Sequence, residues 1–85
     1  MALKTGNSLR EELQMAKYPF TLVPDEDEFL VQFVDFSNGV TGGVDLEDAK
    51  KNAQEVLDLL VADYAEQGIP LPPPSPVGNN PFAEV

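Results

Sequence analysis

The sequence predicts an α+β domain: a three-stranded antiparallel sheet with one long helix packed on it, in the order βββα. Three observations predict it. Two apolar runs of period two are separated by an acidic turn. An Asn-Gly turn leads into a third, shorter run. A single stripe of period 3.6 then fills residues 46–67, opened by aspartate and closed by glycine.

The first strand is expected over Tyr18–Val23, with Tyr18, Phe20 and Leu22 on one face. Pro24-Asp25-Glu26-Asp27-Glu28 reads as the turn, since proline cannot donate to a ladder and the acids favour water. Strand two is expected over Phe29–Phe36, with Phe29, Val31 and Phe33 inward. Its other face carries Leu30, Gln32 and Val34, which is too apolar for a fully wetted surface and predicts a partial cover. Ser37-Asn38-Gly39 predicts a tight turn through positive φ. A third strand, Val40–Val44, follows, and connections this short dictate an antiparallel meander.

Asp45 is the expected N-cap of the helix, paired with Asp48 in a capping-box arrangement. Leu46, Ala49, Ala53, Val56, Leu57, Leu60, Val61 and Tyr64 form its apolar stripe; Lys50, Lys51, Gln54, Glu55, Asp58 and Asp63 face away. Gly68 is the expected C′ glycine, with Ile69 folding back onto the last turn. Burying most of the stripe contributes roughly 10–20 kcal/mol before chain entropy is subtracted, so the stripe must lie on the sheet. Ile69–Pro76 then reads as a stiff polyproline stretch, either a recognition ligand or a rigid exit from the helix. Pro81–Val85 has the composition of a short fourth edge strand.

These elements divide the chain into an N-terminal extension (1–17), a folded domain (18–76) and a C-terminal tail or edge strand (77–85). Within the extension, Ser8-Leu9-Arg10-Glu11 and the Leu9/Leu13 spacing predict one or two helical turns, and Met15 is an alternative start. With 85 residues, the chain buries only about 60% of its unfolded surface, so its core is thin and self-association into a homodimer or higher homo-oligomer is expected.

Composition excludes more than it suggests. Histidine and cysteine are absent, which removes the commonest general base, the activating partner of serine nucleophiles and the usual zinc ligands. An EF-hand loop starting at Asp25 would need glycine at 30 and glutamate at 36, where Leu30 and Phe36 stand. Gly42-Gly43 lacks the Lys-Ser/Thr of a phosphate loop and reads instead as small residues in a twisted edge strand. No catalytic residue, cofactor or metal is expected, and the chain reads as a binding protein, not an enzyme. No apolar run is long enough for a membrane span, so a soluble, cytoplasmic protein is expected.

Charge carries the functional signal. Fifteen acids against five bases give −10, and residues 18–85 alone hold thirteen acids against Lys50 and Lys51. Such a body repels phosphate backbones and attracts basic proteins, so direct nucleic-acid binding is not expected. Asp25, Glu26, Asp27, Glu28 and Asp35 are the acids best placed to steer and rim a basic partner.

Order and spacing carry a resemblance as well. Tyr18-Pro19 opens a strand that leads to the acidic turn Asp25–Glu28. Val31-Gln32-Phe33-Val34-Asp35-Phe36-Ser37-Asn38 is followed by Thr41, Gly43 and Glu47-Asp48-Ala49, and later by Gly68, Leu71, Pro72, Pro74 and Ser75. In this order the segment resembles the HicB-like antitoxin family, departing from its pattern at Val34, Ser37 and Asn38. The resemblance implies a partial ribonuclease-H-like fold without nuclease activity. It also implies neutralisation of a basic, HicA-like messenger-RNA-cleaving toxin by covering its RNA-binding face. Members often append a DNA-binding domain; the chain given stops at Val85, so the resemblance does not extend to promoter binding. The alternative is an orphan homologue, a structural or oligomeric interaction protein without a toxin.

Overall fold

A computed structural model describes residues 16–85. The helical turns expected near residues 8–13 lie outside the described residues. Four strands form one antiparallel sheet in the order β3-β2-β1-β4: β1 Lys17–Asp25, β2 Glu28–Phe33, β3 Val40–Gly43 and β4 Phe82–Glu84. Helix α1, Leu46–Gln67, lies across one face. The meander, the long helix and the edge strand from the C-terminal tail are those the sequence predicts.

The pleat sorts the residues. Tyr18, Phe20, Val31, Phe33 and Ala83 point at the helix and are buried, meeting Ala49, Ala53, Leu57 and Leu60. Asp45 caps the helix by accepting from the Asp48 amide at 2.8 Å, while the Asp48 carboxylate accepts from Val44 N. Gly68, at φ 70°, ends it, and Ile69 N donates to Tyr64 O across the turn. Two details of the helix reading are corrected. Leu46 is 50% exposed because it opens the helix beyond the last residue of β3, and Ile69 stays outside the core although its amide closes the cap.

The hairpins also differ from expectation. Pro24 is a strand residue paired with Phe29, and only Glu26 and Asp27 form the loop. In a two-residue hairpin the flanking pair, Asp25–Glu28, is the hydrogen-bonded one. Pro24–Phe29 is therefore a non-bonded pair whose missing N–H removes nothing from the ladder. Strand β2 ends at Phe33, three residues before the expected end. Gln32 Nε2 donates to Phe33 O and Phe36 O, holding the chain as it bends away. That bend swings Phe36 from the outer face into the core, where it packs on Tyr18 and Tyr64 at ring-centroid distances of 5.0 and 5.7 Å. The Phe36–Gly39 turn closes without the positive φ expected of Asn-Gly. Gly39 serves packing instead: a Cβ there would lie 3.0 Å from the Phe33 side chain.

Gly43 is likewise explained by the helix and not by sheet twist. An added Cβ would overlap the Ala49 amide nitrogen and lie 2.6 Å from its Cα, so only glycine lets the helix settle this close.

The polyproline stretch is a rigid return from α1 to β4. Tyr18 Oη donates to Pro72 O at 2.6 Å, and Ser75 donates from its amide and its hydroxyl to Asp35. Burial raises the Tyr18 phenol above its ordinary value, and the negative fields of Asp35 and Tyr64 add to it. A raised phenol pKa favours the folded state below pH about 10, the ordinary tyrosine value, and that contribution is lost as pH climbs through the folded value. Tyr18→Phe is therefore expected to cost about 1 kcal/mol at neutral pH, through the lost hydrogen bond. It should also flatten the alkaline fall in stability above pH about 10. Urea unfolding of both proteins at neutral and alkaline pH measures the difference.

Candidate interaction surface

Asp25 and Glu28 pair across the base of the first hairpin, Glu26 and Asp27 form its tip, and all four are exposed. Four carboxylates thus crowd one end of the sheet. Glu26 holds a φ of 57°, a conformation costing a non-glycine residue roughly 1 kcal/mol. Among the described residues no hydrogen bond holds its side chain, so nothing inside the domain accounts for glutamate at a position suited to glycine.

Asp35 is placed apart from these four. It lies beyond the opposite end of β2, roughly 20 Å away along the strand direction. Half-buried, it is occupied by both donors of Ser75. The fifth acid of the expected set therefore works inside the domain, joining the β2–β3 loop to the polyproline return.

The sheet face opposite α1 is apolar and open. The strand registers place Val23 beside Leu30, Thr21 beside Gln32, and Val40 on the far side of Gln32. Val34 N donates to Pro19 O, which continues the ladder one step and sets Val34 beside Pro19, with Phe82 on the other side. Val23, Leu30, Val34, Val40 and Phe82 are each 40–54% exposed. The Lys17 ammonium sits 4.9 Å from the Phe82 ring centre at the corner of this face. The cover expected for the Leu30/Val34 side is not supplied by any described residue. Phe82 and Val40 join the patch only through pairing across the sheet, which the period-two pattern of a single strand does not reveal.

Both sheet edges are engaged by helix side chains. Gln54 Nε2 donates to Glu84 O at 2.7 Å while its Oε1 accepts from Glu84 N, and Asn52 Nδ2 donates to Gly42 O at 2.7 Å. Gln54, expected to face solvent, is thus half-buried against β4. Such blocking discourages a further strand from adding at β4 and weakens that option at β3.

Two concavities lie along the polyproline return and the helix flank, the second bordered by Val40 at the edge of the open face. One of about 500 Å³ runs between Tyr18, Val85 and Pro70–Pro74; its lone titratable side chain, the Tyr18 phenol, is already bonded. The other, about 410 Å³, lies between Val40 and the Val56–Leu60 flank of α1. Neither gathers the convergent polar groups that catalysis or small-ligand capture requires. No helix among the described residues is long and apolar enough to cross a membrane.

An acidic hairpin, an open apolar face and engaged strand edges thus belong to one small α+β domain. The sequence model of the HicB-like antitoxins of bacterial toxin–antitoxin systems matches residues 17–83, and the chain belongs to that family. No curated protein is similar enough to the chain to count as a match.

Proposed function

We propose that this domain neutralises a basic, HicA-like messenger-RNA-cleaving toxin by occupying its RNA-binding face, without catalysis of its own and in the cytoplasm. Membership of an antitoxin family supports a toxin partner, and the net charge of −10 supports a basic one. The carrying observation is the hairpin that gathers four exposed carboxylates at one end of an open sheet. Carboxylates there compete with RNA phosphates for the same cations, while the bulk of the domain excludes the RNA. The thin core favours a homotypic contact in addition, so the free chain is expected to sediment as a dimer or larger assembly.

The test is calorimetry with a HicA-like basic protein, sought first among the products of the genes beside that of this chain. Affinity is expected in the nanomolar range at low salt, falling as ionic strength rises and the Debye length shrinks. Binding that is absent, or indifferent to salt, would remove the antitoxin reading.

A further inference from the structure

We propose that the open sheet face carrying Val23, Leu30, Val34, Val40 and Phe82 is the surface that docks the cationic protein partner, with the acidic hairpin as its rim. The assignment rests on the partner being the basic protein of the preceding reading. Among the described residues, five of the nine large exposed hydrophobics lie on this one face, and the strand registers make them neighbours. Apolar patches of this kind, bordered by polar groups, mark contact surfaces. Gln54 and Asn52 occupy the strand edges, which leaves stacking on the face as the more open mode.

Charge and area choose the occupant. Strand spacing gives the apolar rows roughly 400 Å², about half of what one partner contributes to a stable interface. The contact must therefore extend beyond the face, and the hairpin is its continuous neighbour through Val23–Leu30 and Asp25–Glu28. A cationic partner gains opposite charges from that extension. A second copy brings its own thirteen acids against two lysines over residues 18–85 and is disfavoured at this acid-rimmed face, so the homotypic contact expected above falls elsewhere on the domain. Apolar side chains then anchor the centre while carboxylates orient the approach.

Leu30→Gln combined with Val34→Gln tests this in the full chain, because the net charge stays at −10. Calorimetry with the same HicA-like basic protein is expected to show binding at least a hundredfold weaker, with the salt dependence retained. Leu59→Gln, on the outer helix face, is the control and should change affinity less than threefold. Wild-type binding that the double variant keeps would overturn the assignment while leaving the antitoxin reading intact. No binding by the wild-type chain would overturn both. A dimer dissolved by the double variant, at unchanged partner affinity, would give the face to a second copy and also overturn it. Amide chemical shifts of the wild-type chain on titration give the same decision without relying on the variant's fold. Changes centred on Val23, Leu30, Val34, Val40 and Phe82 support the assignment; changes confined to α1 overturn it.

Discussion

Replacing Gly43 with valine is expected to cost roughly 3 kcal/mol or more and to leave little folded protein at ambient temperature. The position is paired with Phe29 and faces the helix, and any Cβ there collides with the Ala49 backbone. Backbone cannot rotate aside as a side chain tip can, so α1 would have to lift off the sheet. That movement loosens Ala49, Ala53 and Leu57, which are fully buried and form the centre of a thin core. A domain of this size has a net stability of only about 5–10 kcal/mol, so losing that much removes most of its margin. Gly68→Ala provides the scale: nothing lies within 4 Å of an added Cβ there, and the cost is the left-handed φ alone, about 1 kcal/mol. Urea unfolding followed by circular dichroism separates the two. A Gly43→Val protein as stable as Gly68→Ala would show that the helix does not sit on β3 as described.

What the sequence disclosed follows the range of the forces involved. The helix was legible to its ends because Asp45, Asp48 and Gly68 act on neighbouring backbone groups, within four residues of themselves. Inward residues of β1 and β2 were legible because alternation is a local property, and β4 because Pro81–Val85 has strand composition. The aromatic core was only partly legible. Phe36 has the parity of an outward residue, and its burial depends on Gln32 ending the strand at Phe33. Pro24 was misplaced because composition shows that a ladder donor is missing, but not which pairs of the ladder need one.

Contacts distant in sequence were beyond such reading. Asp35 and Ser75 are forty residues apart, and Gln54 and Glu84 thirty. Nothing in the local pattern of either partner predicts the other. The same limit applies to the candidate site. The four hairpin acids are visible as a run, whereas the engagement of Asp35 by Ser75 arises only from the tertiary fold. The open face was half visible in the apolar excess at Leu30 and Val34; Val40 and Phe82 joined it only through pairing. The family resemblance came from ordered motifs over much the same stretch that the family model matches, residues 17–83.

Neutralising the hairpin, with Asp25→Asn, Glu26→Gln, Asp27→Asn and Glu28→Gln together, is expected to slow association with the basic partner at least tenfold at low ionic strength. Net charge moves from −10 to −6, one unit per residue, so the domain remains acidic and the change is mainly one of placement. Placement matters because a field concentrated at one tip orients an incoming cation. The exposed helix acids Glu47, Glu55, Asp58, Asp63 and Glu66 are spread along the outer side of α1, away from the open face. All four hairpin positions are exposed and the substitutions keep side-chain size, so stability should change by less than about 0.5 kcal/mol. Dissociation, controlled by apolar contacts and packing, should change less than association does. Stopped-flow mixing at low and high salt separates these effects, since the rate difference between wild type and variant should shrink as salt screens the field. Equal association rates at low salt would transfer steering to the helix acids and leave the hairpin as a solubilising turn. An equal fall in rate at every salt concentration would mean instead that the substitutions had removed a direct contact, with the carboxylates bound to the partner and not merely guiding it.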